Sequence, residues 1–202
     1  MHSKGLLFFN TIRYLKPGQI FNRIKRKFIT VNVDLSKTPE LSRLINTFQP
    51  FAYHQQTILS KDRFEFLNVI ADIKTSKGWN SVNQDKLWLY NLHYFDDLNA
   101  VGASQRVDWH RGLIKRWINE NPPGIGIGWE PYPSSLRIVN WIKWSLLGSD
   151  LKRNWLNSLA IQVRYLSQNL EYHILGNHLF SNAKALIFAG LYFQGPEAEK
   201  WY

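Results

Sequence analysis

The second half of the chain alternates long, regularly spaced apolar segments with short breaks, and this alternation constrains the fold most strongly. The clearest segment has apolar residues three or four positions apart, at Leu159, Val163, Leu166, Leu170 and Ile174. This spacing places apolar side chains on one face of an α-helix. The second half has no convincing period-2 strand pattern. We therefore predict an all-α fold of antiparallel helical hairpins packed side by side.

Other helices are expected on either side of this segment. Trp109, Leu113 and Trp117 step by four, and two prolines at 122–123 end their helix. The spacing then predicts helices over about 135–147 and 179–193. Ser135 is expected to cap the first of these, and Asp150 is expected to cap the helix that contains Leu159.

The first half is less regular. Residues 19–28 place Ile20, Ile24 and Phe28 four apart with bases between them, which predicts an amphipathic helix. Residues 30–60 have weak periodicity, and we expect irregular structure there with a short helix over 40–47. For residues 61–75 a helix and short strands both remain open.

The positive charge is concentrated at the amino end. The net charge is +10, and residues 1–30 carry seven bases and no acid, whereas the remaining 172 residues carry 18 bases and 15 acids. Residues 1–35 are therefore interpreted as a basic N-terminal helical segment, distinct from residues 36–202. Such a segment suits an acidic partner or a solvated helix face, and contact with anionic lipid stays open. Nucleic acid is not expected as a partner.

Several classes of protein are not indicated. No run of about 20 apolar residues predicts a transmembrane helix, and the apolar run at 5–9 is too short for a signal peptide, so the compartment is not assigned. The chain has no cysteine, no HExxH or acid-rich metal loop, and no GxSxG. The Gly124-Ile-Gly126-Ile-Gly128 loop matches neither nucleotide-binding spacing. We expect no metal and no cofactor.

A glycine, an amide and an imidazole lie together at a break between two apolar segments, at Gly176, Asn177 and His178. Glycine suits the end of one helix and asparagine the N-cap of the next, so capping accounts for the first two residues. A helix N-terminus also has free N–H groups and a partial positive charge. An amide and an imidazole placed there form a suitable site for a carboxylate. The two interpretations are compatible.

Two further groups combine aromatic and polar residues. Aromatic residues make up 15% of the chain, which is typical either of a sugar-binding cleft or of a core of large side chains. Trp129, Glu130 and Tyr132 precede a predicted helix that carries Arg137, and arginine can form a bidentate pair with a carboxylate. The alternative is that Glu130 and Arg137 pair with each other. Asn91, His93 and Tyr94 form the second group, for which buried structural roles are also open.

Three segments together resemble the N-terminal helical domain of the heparinase II/III-like polysaccharide lyases. They are LWLYNLHYFD at 87–96, WEPYPSSLRIVNW at 129–141 and GNHLFSNAKAL at 176–186. The resemblance runs from about residue 16 to the end of the chain. It implies an incomplete α/α toroid of helical hairpins, followed in the family by a β-sandwich. It also implies cleavage of acidic polysaccharide by β-elimination. Family members are often periplasmic.

The resemblance assigns roles to individual residues. Asn177 and His178 match the family's Asn-His pair, so Asn177 is expected to neutralise a uronic acid carboxylate, while His178 contacts it or assists proton transfer. The tyrosine of the family lies on a later helix and further groups on the β-sandwich, and neither is found within these 202 residues. We therefore expect a partial toroid over 36–202 that is inactive alone or completed by a second chain. A non-catalytic carbohydrate-binding or scaffold module remains the alternative.

Overall fold

The fold is mixed α/β, so the expectation of an all-α partial toroid is wrong. A computed structural model describes residues 10, 13–43, 49 and 53–202. Six α-helices and five short strands in two antiparallel sheets lie within these residues, and the fold is 56% helical. The helices are α1 (Pro17–Phe28), α2 (Lys86–Tyr94), α3 (Val107–Glu120), α4 (Pro131–Leu146), α5 (Arg153–Ser167) and α6 (Gly176–Tyr192).

One sheet is a three-stranded meander that precedes α2. Its strands are β2 (Ile58–Ser60), β3 (Arg63–Phe66) and β4 (Val69–Asp72), paired in the order β2-β3-β4. Phe64 and Phe66 of β3 are buried, whereas Arg63, the first residue of the strand, is exposed. The segment for which helix and strand were both open therefore forms strands, because alternate residues of β3 face the core.

The other sheet joins distant parts of the chain. β1 (Glu40–Leu41) pairs antiparallel with β5 (Phe193–Gln194), which follows α6 directly. A helix over 40–47 was expected, but residues 40–41 form this strand; residues 44–47 lie outside the described part of the chain. Residues 1–9, 11 and 12 of the basic N-terminal segment also lie outside the described part of the chain.

The helices largely occupy the predicted segments, with different ends. The helix with Trp117 is confirmed as α3, and the amphipathic helix over 19–28 is confirmed within α1. α4 begins at Pro131 rather than Ser135, because proline fits the first helical position, where no N–H is needed. α5 ends at Ser167, so the last two positions of the apolar stripe lie beyond the helix. Lys152, not Asp150, precedes α5.

α4 is the central helix of the core. It packs against α2, α5 and α6, and most of its residues are buried. Polar side chains of α4 reach each neighbour. Asn140 donates to the Tyr94 carbonyl at the end of α2 at 2.9 Å, and Arg137 donates to Gln162 of α5 at 2.8 Å. Ser135 accepts a hydrogen bond from Asn182 of α6 at 2.9 Å. These bonds fix the arrangement of the helices around the core.

Gly128 is expected to tolerate no side chain. A Cβ at this position would lie 2.6 Å from Nδ1 of the fully buried His93 ring. We expect Gly128→Ala to lower the free energy of unfolding by about 1–3 kcal/mol, the usual cost of overpacking a core. The matched control is Gly112→Ala in α3, where nothing lies within 4 Å of a Cβ. Better helix propensity should make that variant up to about 1 kcal/mol more stable. Chemical denaturation of both variants measures the difference, and equal values would contradict the packing at Gly128.

Candidate functional site

The candidate site centres on the first turn of α6. Leu175, the residue before the helix, has a positive φ of 66°, and no side chain caps the turn. Asn177 is the second residue of the helix and is exposed. The prediction that Asn177 is the N-cap is therefore wrong: the helix begins at Gly176, two residues earlier than that prediction requires, and Leu175 is the N-cap. The first-turn N–H groups have no intrahelical acceptors, which gives this end its partial positive charge.

His178 is held by a buried carboxylate. Its Nδ1 lies 3.0 Å from Oε1 of Glu171, whose side chain is 6% exposed, while about a third of the His178 side chain remains exposed. A carboxylate accepts but does not donate, so Nδ1 carries the proton in this contact. The opposite ring nitrogen, Nε2, makes no hydrogen bond within the described part of the chain.

Glu171 is fixed in turn by the body of the protein. Its backbone N–H donates to Oδ1 of Asn182 at 2.8 Å, and the Asn182 amide donates to Oε2 of Glu171 at 3.2 Å. The same amide reaches Ser135 of α4. All three of these supporting residues are buried. A rigid chain of contacts therefore runs from the core to the His178 ring, which limits how far the ring can rotate.

Aromatic rings cover one side of His178. The Tyr132 ring lies 4.3 Å from the His178 ring, centroid to centroid, with 31° between the planes. Tyr94 of α2 packs edge-on against Tyr132 at 6.0 Å. The structure thus brings together Asn177, His178, Tyr132 and Tyr94 from three helices that are far apart in the sequence.

Glu130, the N-cap of α4, forms a second cluster with two residues of α2. The Tyr90 hydroxyl donates to its carboxylate, and Nζ of Lys86 lies 3.0 Å from the same oxygen. Burial, then the Glu130 hydrogen bond and charge, then the charge of Glu171 raise the pKa of Tyr90. Burial and the neighbouring Tyr132 and Asp96 raise the pKa of Tyr94. Both phenols therefore remain protonated at neutral pH.

Three of the expected binding residues lie in the core instead. Trp129 is 3% exposed, and His93 and Arg137 are completely buried. Arg137 does not pair with Glu130: its guanidinium donates to Gln162, to the His93 carbonyl and to Ser134, and lies 3.8 Å from the Trp117 ring centroid. Burial lowers the pKa of Arg137 well below its usual value. In this arrangement none of the three can touch a polysaccharide.

Asn91 remains partly exposed, but its amide donates to the Leu87 carbonyl one turn earlier in α2. It does not contact the His178 group through a hydrogen bond. Sequence reasoning missed Glu171, Asn182 and Tyr90, which contact or border the site. Glu171 lies only seven residues before His178. An acidic residue this close to a candidate catalytic histidine was the signal that the sequence offered.

No group of three or more His, Asp or Glu side chains within the described residues is arranged to hold a metal ion. Within the same residues, no helix is long and apolar enough to cross a membrane.

Comparisons of the chain with models of protein families, with curated proteins and with solved structures found no match.

Proposed function

We propose that this chain is the carboxylate-binding part of a lyase that cleaves acidic, uronic-acid-containing polysaccharide by β-elimination. The observation that carries the proposal is the pairing of an exposed Asn177 at a helix N-terminus with a His178 whose Nδ1 is held by buried Glu171. The resemblance to the heparinase II/III-like lyases, which rests on residues 87–96, 129–141 and 176–186, points to the same two residues.

The chemistry explains why these groups are suitable. A uronic acid carries a weakly acidic proton at C5, beside its carboxylate. A base removes this proton, the electron pair forms the C4–C5 double bond, and the C4–O bond breaks as the leaving oxygen is protonated. Neutralising the carboxylate makes the C5 proton more acidic and stabilises the enolate-like intermediate. A lyase therefore needs a carboxylate-binding group, a base and an acid.

Asn177 is suited to the first of these tasks. Its amide can donate to a carboxylate oxygen, and the N–H groups in the first turn of α6 lie beside it. The positive end of the helix dipole adds a favourable interaction with the same negative charge. The side chain is exposed, so a substrate can reach it.

His178 is suited to proton transfer. Because Glu171 holds the proton on Nδ1, the lone pair of Nε2 is available to accept the C5 proton. The carboxylate then stabilises the imidazolium that forms, as in other carboxylate–histidine pairs. Tyr132 limits the ring from one side and offers an aromatic surface near the substrate.

We assign no single side chain of this site as the acid that protonates the leaving oxygen. Tyr90 and Tyr94 stay protonated, but Tyr90 already donates to Glu130. In the family that the chain resembles, a tyrosine on a later helix also takes part in the proton transfers.

Titration calorimetry with a uronic acid oligosaccharide tests the proposal. We expect Asn177→Ala to weaken binding at least tenfold, since one hydrogen bond to a charged group contributes roughly 1.5–3 kcal/mol. The matched control is Asn154→Ala, because Asn154 is also exposed and is also the second residue of its helix, α5. That variant should bind like the wild type.

The same oligosaccharide with its carboxyl groups reduced to alcohols should bind as weakly as the Asn177→Ala variant binds the acidic form. Equal affinity for the acidic and reduced forms would contradict carboxylate recognition. Ultraviolet absorbance of the unsaturated product then distinguishes a lyase from a protein that only binds carbohydrate. Binding without product under all conditions would favour the non-catalytic carbohydrate-binding alternative.

A further inference from the structure

Helix α1 presents its apolar side outward. Ile20, Ile24, Phe28 and Phe21 fall within an arc of about 100° around the helix. Of these, Phe21 is 65% exposed, Ile24 53% and Phe28 82%, and no residue of α1 is buried. A helix on the surface of a globular domain normally turns this side toward the core. In α1 the apolar side chains face the solvent instead.

The polar side of α1 contacts the rest of the protein instead. The Gln19 amide donates to the Ile174 carbonyl at 3.2 Å, and the Arg26 guanidinium lies 3.2 Å from a ring nitrogen of His173. Both partners lie in the turn that leads to the candidate site. Among the described residues, the helix is therefore attached through hydrogen bonds of its polar side, and its apolar side is exposed.

Bases border the exposed apolar side. Lys25 and Lys27 flank the apolar arc, Arg23 and Arg26 complete the polar side, and α1 contains no acid. Tyr14, three residues before the helix, is also 75% exposed. The surface thus combines protruding aromatic and aliphatic side chains with a ring of positive charge.

We propose that α1 lies on an anionic lipid membrane, with Phe21, Ile24 and Phe28 in the headgroup–acyl boundary and the flanking lysines on lipid phosphates. This charge and apolar pattern is that of helices that lie in the plane of the membrane interface. The helix is about 18 Å long and would lie flat. Nucleic acid or acidic polysaccharide would explain the bases but would leave the apolar side exposed to water. This inference does not depend on the lyase proposal.

Co-sedimentation of the full chain with lipid vesicles tests the inference. Vesicles of phosphatidylcholine with about a third phosphatidylserine should bind the protein, and vesicles of phosphatidylcholine alone should bind it far more weakly. The double variant Phe21→Ser, Phe28→Ser should reduce partitioning at least tenfold, because both side chains lose their burial in the membrane. Lys25→Gln, Lys27→Gln should reduce it about fivefold for each charge removed.

Matched controls remove equivalent groups elsewhere. Leu191→Ser removes an exposed apolar side chain at the C-terminal end of α6. The double variant Lys77→Gln, Lys115→Gln removes two exposed bases. Both control variants should partition like the wild type. If only the lysine pair at α1 matters, and the phenylalanine pair does not, the surface binds polyanions without a membrane and the inference is overturned. It is equally overturned if the phenylalanine variant dissociates a dimer without changing vesicle binding.

Discussion

Acidification from pH 6 to pH 4 is expected to lower the free energy of unfolding by about 1.4 kcal/mol for each pH unit because of His93. This residue is completely buried, and burial, reinforced by the charge of Arg137, lowers its pKa to about 3. The unfolded chain takes up a proton below about pH 6.5, whereas the folded protein does not. Stability from neutral His93 is therefore complete above pH 6.5 and is lost as the pH falls toward 3.

The contacts of His93 require the neutral ring. The Trp117 indole can only donate, so Nδ1 of His93 accepts from it at 3.0 Å, and Nε2 donates to the Trp79 carbonyl at 3.0 Å. A second proton would remove the acceptor and place a charge beside buried Arg137. Urea denaturation at several pH values measures the slope. His93→Gln should be less stable at pH 7 but should have a flatter slope, whereas the control His54→Gln at an exposed site should keep the wild-type slope. An unchanged slope in His93→Gln would contradict the assignment.

Periodicity predicted the helices because apolar spacing depends on local geometry. Trp109, Leu113 and Trp117 fall on one face of a helix, and in α3 Leu113 and Trp117 are buried while Trp109 is partly buried. The strands could not be found in the same way. The β3–β4 hairpin turns through Leu67 and Asn68, both with positive φ, and leucine is unusual at such a position. β1 pairs with β5, some 150 residues away, which no local pattern can indicate.

The candidate site was predictable only in part, because some of its contacts are local in the sequence and others depend on the fold. The adjacency of Asn177 and His178 at a break follows from the sequence, but the contact with Glu171 depends on the turn at 171–175. In that turn the N–H groups of Ile174 and Leu175 donate to the Glu171 carbonyl, which brings the carboxylate back toward α6. The burial of Arg137 could not be predicted from the sequence, because arginine is almost never fully buried. Its four neighbours in the core replace the water and the carboxylate that it would otherwise need.

The three-stranded meander is attached to the helices by several polar contacts. One of them is a buried carboxylate, and its neutralisation should have the largest effect on stability. Asp97 accepts at one oxygen from the N–H groups of Thr57 and Ile58, at 2.7 and 3.1 Å. Its other oxygen accepts from Arg106 at 3.0 Å and from His110 at 2.8 Å. Burial acts to raise the pKa of Asp97, but these hydrogen bonds outweigh it and hold the pKa below its usual value. The stabilisation is present above pH 4 and is lost in stronger acid.

We expect Asp97→Asn to lower the free energy of unfolding by about 3–5 kcal/mol, since it leaves Arg106 buried without its carboxylate and replaces an acceptor with a donor. For a chain of this size the midpoint of thermal unfolding should fall by roughly 10 °C. The control is Asp108→Asn on α3, where the side chain is 95% exposed and the cost should stay below about 0.5 kcal/mol. Scanning calorimetry at pH 7 compares the two. If both variants unfold at the wild-type temperature, Asp97 does not join the sheet to the helices, because a buried carboxylate with four donors cannot be neutralised without cost.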